Sequence, residues 1–269
     1  MQFDNSNYGL GKLLYFLLGP VGLTYDRITK PPWYYEGDAI LIETAYSNGE
    51  RGRLPIFDAN LRTLLAESKI PTYDEAIIAS FKYPMPSIYQ FGYHYVSYGT
   101  EHYGADVWDK ISVRKARMSI IPGFGNSVKK FTGSNLTQFS EEVLTKRAEQ
   151  WEEQRNKTVM TEAEDIVLPP DDGFALWLHT PQPQADGSIV AHQSGPKVPA
   201  RIVTIKEGKT EQIVQMGLRL TNRIHTVGDM IIWDEHREDP LWEWTQYNVI
   251  KVLDGSGDIR AIKKNERHF

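Results

Sequence analysis

The sequence predicts a multi-domain α + β protein: a mostly helical region over residues 1–158, then an antiparallel, β-rich region of propeller-like blades over residues 159–269. Three observations carry that prediction. Up to about residue 158, apolar residues recur at helical spacings. Beyond it, short β-branched runs alternate with Gly- and Asp-containing turns. The β-rich part also resembles itself at a period of roughly 40 to 50 residues, the spacing of propeller blades.

The elements follow in chain order. Leu13 to Leu23 ("LLYFLLGPVGL") is apolar but too short to span a bilayer, and it reads as a buried helix or loop. Gly37 to Tyr46 carries Ala39, Ile40, Ile42 and Glu43 at helical spacings. In Phe57 to Glu67, Leu61, Leu64 and Leu65 form one stripe, with Asp58 as N-cap. Tyr73 to Ser80 is a short helix introduced by Pro71. Ser87 to Tyr103 is another, opened by Ser87 and closed by Gly104. Asn135 to Asn156 carries the clearest signal, because Asn135 and Gln138 have capping-box spacing.

The "LPPDDG" turn cluster places the boundary between Lys157 and Pro170. After it come "DGSIVAHQSG" and "ARIVTIKEGKTEQIVQMG", then "GDMIIWDEHRED" and "YNVIKVLDGSGDIRAIKK", two runs of the same strand-and-turn pattern. Two blades cannot close a propeller of roughly four to eight. The region is therefore expected to be an incomplete propeller, with a small β-sandwich as the alternative.

Composition excludes several classes. The chain has 269 residues, a net charge of -5 with interspersed charges, and 41% hydrophobic residues. That balance argues against a nucleic-acid surface or a polybasic membrane patch. The sequence has no cysteine, so disulfides and thiolate metal sites are excluded. No transmembrane segment is read.

The stretch "PPWYYEGDAILIET" (residues 31–44) is the chemical focus. Glu36 and Glu43 are seven residues apart, which places both carboxylates on nearly the same helix face. Such a pair suits a divalent cation held by one and oriented by the other. A first-turn Glu favoured by the helix dipole is the plain alternative.

The same stretch resembles the W-x-x-E-G-x-A-x-x-x-E segment of the gluzincin zinc metallopeptidases. The resemblance implies that Glu36 is a zinc ligand and Glu43 an acid behind the ligands. "YQFG" at Tyr89 to Gly92 is similar to the Y-x-x-G of those enzymes, which makes Tyr89 the catalytic donor to the oxyanion. "YGADVWDKISVRKAR" and "FGNSVKKFTGSNLTQFSEEV" resemble later helices of bacterial proteins that join such a domain to a TolB-like β-propeller. The implied function is hydrolysis of a peptide or protein substrate by zinc-activated water, in a periplasmic or otherwise extracytoplasmic setting.

One departure is decisive for activity. The His residues are 94, 102, 179, 192, 225, 236 and 268, so none precedes Glu36 and no H-E-x-x-H occurs. A catalytic zinc needs three protein ligands and a water. The chain as given is thus expected to bind no catalytic zinc. "MQFDN" resembles the residues just after the second His of the motif, which places the missing helix before Met1 and reads the chain as truncated. The alternative function is a non-catalytic binding or scaffold protein that holds a peptide, glycan or protein partner.

Remaining motifs read blandly. "HREDP" at His236 is expected in a solvated loop. His94 and His102 share a helix face with Tyr98 and are expected to pack. "GFGN" at Gly123 lacks the rest of a dinucleotide fingerprint. Asn135 and Asn156 open glycosylation sequons that matter only in a eukaryotic secretory setting.

Overall fold

The computed structural model describes residues 9–21, 28–48, 51–67, 69–118, 123–162, 174–218, 221–239, 241–242 and 244–265. The chain forms two compact units, Met1–Ser80 with Met85–Thr161, and Phe81–Pro84 with Glu162–Phe269. Periodicity gave no sign that residues 81–84 belong with the strands. They do so in part because Phe81 O accepts a hydrogen bond from Ala175 N at 2.8 Å.

The first unit is helical. Its α-helices are α1 (Gly9–Leu18), α2 (Pro32–Tyr46), α3 (Pro55–Ala66), α4 (Tyr73–Ile78), α5 (Ile88–Tyr103), α6 (Val107–Met118), α7 (Gly123–Thr132) and α8 (Leu136–Asn156). Caps account for several of the starts. Thr72 and Glu75 form a capping box on α4, and Asn135 and Gln138 form one on α8. At α5 the Ser87 N–H donates to the Gln90 side chain at 2.6 Å, and Gly104 ends the helix at φ 102°. Proline opens α2 and α3, since its fixed φ and missing N–H suit the first helical position.

Proline shifts two expectations. α2 starts five residues earlier than the spacing predicts, so Glu36 lies in its second turn rather than at its first. α3 starts at Pro55, so Asp58 is inside the first turn and is not a cap. Asp58 instead accepts from His94 Nε2 at 2.9 Å.

The core of this unit is aromatic. Trp33, buried completely, meets Tyr34, Tyr95, Trp108 and Phe124 edge-on at 5.1–6.3 Å. Phe91, Ile111, Phe139, Val143 and Leu144 complete it. The packing expected of His94 and His102 is present: His94 is buried against Trp151, and His102 stacks on Tyr98 at 3.8 Å. Beside them, Tyr98 and Tyr103 both donate to Glu142, and burial together with that carboxylate pushes the Tyr98 hydroxyl up. The burial expected for the Leu13 stretch is not found, because Leu13, Tyr15, Phe16, Leu17 and Leu18 all stand exposed on α1.

His94 gives a pH signature. Burial lowers its pKa more than the hydrogen bond and charge of Asp58 raise it. The imidazole is therefore neutral in the folded state and favours folding above its ordinary pKa of about 6.5. That contribution is lost as pH falls below about 6.5 toward the lowered folded value. Urea midpoints followed by helical circular dichroism should fall on acidification from neutrality, and His94→Asn should flatten the slope in that window. An equal slope in the variant would assign the effect elsewhere.

The second unit holds two four-stranded antiparallel sheets, each a simple meander. They are β1 (Trp177–Pro183), β2 (Ile189–Ser194), β3 (Arg201–Lys206), β4 (Lys209–Gln215), then β5 (Ile224–Val227), β6 (Met230–Glu238), β7 (Gln246–Leu253), β8 (Ile259–Asn265). Gly187, Gly208, Gly228 and Gly257 take positive φ at the hairpins, where the tight turns require it. Val190 and Ile202 of the first sheet, with Met216 just past β4, share one core with Ile224, Ile231, Trp233 and Leu253 of the second.

A bulge links the sheets. Register shifts between His179 and Gln182, and Thr180 adopts φ 44°, costly for a β-branched residue. Its hydroxyl donates to Asn222 O at 3.1 Å and accepts from Ile224 N at 3.2 Å. Strands β1 and β5, one per sheet, were not read from sequence. No closed barrel or propeller is present among the described residues. The loop expected at "HREDP" is corrected, since His236 lies buried in β6 opposite Asn248.

Candidate functional site

The candidate site lies where α2 crosses α5. Trp33, Gly37, Ile40 and Thr44 are spaced at i, i+4, i+7 and i+11, and all are buried. This stripe packs on α5, where Phe91, Gly92 and Tyr95 are buried. A Cβ built on Gly37 would overlap the Gly92 backbone, and one on Gly92 would overlap the Trp33 carbonyl. The two helices therefore touch backbone to backbone, which glycine alone permits. The glycines of Glu-Gly and of "YQFG" are the two contact residues.

The crossing fixes the surrounding side chains. Trp33 Nε1 donates to Tyr73 OH at 3.0 Å, which closes the core beside it. Gln90, buried one turn from the crossing, donates to Phe57 O and pins α5 to α3.

Glu36 and Glu43 each precede a buried stripe residue, Gly37 and Thr44, so they share one flank of α2 two turns apart. Both are half-buried. Arg51 grips both oxygens of Glu43, Nε donating to Oε2 at 3.1 Å and Nη2 to Oε1 at 3.0 Å and Oε2 at 2.8 Å. The Arg51 guanidinium lies 5.8 Å from the centroid of the Tyr89 ring. Glu43, Arg51 and Tyr89 thus form one connected group at the crossing. Glu36 makes no hydrogen bond or ion pair among the described residues.

Arg51 is the residue that sequence reading missed. It sits in a single 3-10 turn, Arg51–Arg53, and the only signal for it was the charge cluster in "ERGR". Its role follows from Gly52. A Cβ there would overlap the Thr44 hydroxyl and crowd Tyr93, so the turn packs flat on α2 and α5. That approach delivers the guanidinium to Glu43.

The donor set does not fit a catalytic zinc. Three ligands are the rule, and no group of three or more His, Asp or Glu side chains able to hold a metal occurs among the described residues. His94 and His102, the imidazoles of the helical unit, are engaged with Asp58 and with Tyr98. In the second unit His179 and His192 stack on each other at 4.9 Å, and His268 lies outside the described residues.

Gly123 and Gly125 of "GFGN" lie within α7, and Gly125 faces Leu136. Asn135 uses its side chain as a helix cap. No helix among the described residues is long and apolar enough to cross a membrane. Comparison with protein-family models, with curated proteins and with solved structures gives no match for this chain.

Proposed function

We propose that the helical unit carries the glutamate-bearing part of a gluzincin-type zinc-peptidase site, with Glu36 as metal ligand, Glu43 as the acid behind it and Tyr89 as the oxyanion donor. The supporting observation is the Gly37–Gly92 crossing, which joins the Glu-Gly and Y-x-x-G segments that carry the resemblance. The crossing also leaves Glu36 without a protein partner among the described residues, while its companion Glu43 is engaged. Glu36 alone does not fit zinc, so no chemical step is assigned to this chain. Two imidazoles and a carboxylate base must join it before a peptide bond can be cut. In the same reading the two sheets are propeller-type blades of the TolB-like kind, and the setting is bacterial and extracytoplasmic.

Metal analysis after dialysis tests the reading in two arms. The chain as given should retain no stoichiometric zinc. A version extended upstream with an H-E-x-x-H helix should retain zinc, and Glu36→Ala should then weaken retention by at least about tenfold. Zinc held equally well by the Glu36→Ala version would sink the assignment.

A second reading rests on a separate observation. In the β6–β7 loop, Asp239 Oδ1 accepts from Leu241 N and Trp242 N, and Leu241, Trp242 and Trp244 stand exposed. Exposed indoles close together in the chain suit a non-catalytic hold on a peptide, glycan or protein partner. Oligosaccharide or peptide titrations that change Trp fluorescence, with the change lost in Trp242→Ala, would favour this role.

A further inference from the structure

Helix α1 is apolar all round: "GLGKLLYFLL" contains one charge, Lys12. A helix of that kind belongs in a core or in lipid. Here Phe16 is 84% exposed and Leu17 63%, with Leu13, Tyr15, Leu18 and the following Val21 exposed as well. Contiguous apolar exposure on this scale marks an interaction surface.

The neighbouring helices supply the second observation. α1 packs on α6, where Gly9 approaches the backbone of Ala116 and Arg117 so closely that a Cβ would not fit. Arg117 ends a stripe, Lys110, Arg114 and Arg117, whose i, i+4, i+7 spacing places three cations on one face of α6. α7 packs on α6 and adds exposed Lys129 and Lys130 in its last turn. Within α6 and α7 the carboxylate is Asp109, and Asp106 just before α6 pairs with Lys110 at 2.8 Å, so the cations still outnumber the acids there in a chain whose net charge is -5. The apolar helix thus sits beside the most basic pair of helices in an acidic protein.

We propose that α1 docks the helical unit onto the surface of a bilayer containing anionic lipid, with Phe16, Leu17 and their neighbours in the acyl boundary and the α6–α7 cations at the headgroups. Length supports a helix lying in the interface. Ten residues extend about 15 Å, half of the roughly 30 Å hydrocarbon core. Apolar burial and attraction to anionic headgroups act together in such helices. The inference is independent of the zinc-site reading.

The test is co-sedimentation of the whole chain with phosphatidylcholine vesicles, with and without phosphatidylglycerol. Binding should require phosphatidylglycerol and weaken steeply with added salt. Phe16→Ser with Leu17→Ser should abolish it while leaving helical circular dichroism unchanged, because both side chains are exposed. Lys110→Gln with Arg114→Gln should weaken it by about tenfold or more. Three outcomes would overturn the proposal. One is no binding to anionic vesicles. Another is binding indifferent to the Phe16 and Leu17 changes. The third is a concentration-dependent dimer that those changes dissolve while the vesicles capture nothing, which would make a second copy the occupant.

Discussion

Replacing Gly92 by alanine should lower the stability of the helical unit by about 3 kcal/mol, the upper range for forcing atoms into a filled contact. The new Cβ would overlap the Trp33 carbonyl, and a backbone atom has no rotamer by which to withdraw. Relief requires α2 and α5 to part, which would open the contacts of Trp33 with Tyr95 and of Arg51 with Tyr89. Gly37→Ala strikes the same contact from the other side, so the double variant should cost less than the sum. Gly125→Ala is the control. Its Cβ would meet the Leu136 side chain, Cδ1 at 3.3 Å and Cγ at 3.7 Å, which can move, and the change to alanine favours the helix by up to ~1 kcal/mol. Urea unfolding followed by circular dichroism measures all four. An unchanged midpoint for Gly92→Ala would show that the helices can part freely and that the crossing does not position the site.

The second large effect is expected at Glu235. This carboxylate is 2% exposed and receives Trp233 Nε1 at 3.1 Å, Gly217 N at 3.1 Å, Lys251 Nζ at 2.9 Å and Arg237 Nη2 at 3.0 Å. Burial raises its pKa, but the hydrogen bonds from Trp233, Lys251 and Gly217 and the charge of Lys251 outweigh it, so the net shift is downward. Glu235→Ala leaves the Gly217 N–H and the Trp233 indole without their acceptor. The cost should be about 3 kcal/mol, the low end for breaking a buried pair, because Arg237 and Lys251 still reach water. The pH sign follows from the downward shift. The contribution is complete above the unfolded carboxyl value of about 4.3 and is lost as pH falls through the lowered folded value. Hydrogen exchange at the β6 and β7 amides should accelerate in Glu235→Ala at neutral pH and change less on acidification than in the parent. Equal protection in the two proteins would show that the charge cluster contributes little to holding the second sheet.

Much of this architecture was legible in local chemistry. Asn135 with Gln138 marked the start of α8, and Ser87 and Gly104 marked the two ends of α5, because caps are chosen by residues within a turn of the helix end. The starts of β2 and β6 followed from the Asp-Gly and Gly-Asp pairs before them, since a tight turn demands positive φ where they stand. Of the candidate site, the shared flank of Glu36 and Glu43 followed from helical spacing alone.

The rest was decided by contacts between residues far apart in the chain. Periodicity gave α2 its apolar side but not its true start, because Pro32 can open a helix with no capping side chain. Asp58 matched a cap by type, yet a buried imidazole claimed it. "EHREDP" is polar by composition, yet pairing with β7 buries His236 and Glu235 inside a sheet. The Leu13 stretch is apolar and would be assigned to a core by hydropathy, which measures a preference and not the presence of a covering partner. By itself, then, the sequence determined the helical and β-rich halves, most caps and turns, and the identity of the carboxylates on α2. Only the tertiary structure decided that Gly37 and Gly92 meet, that Arg51 links Glu43 to Tyr89 and that the Glu36 side chain has no partner among the described residues, because these depend on which backbones can approach and not on any local pattern.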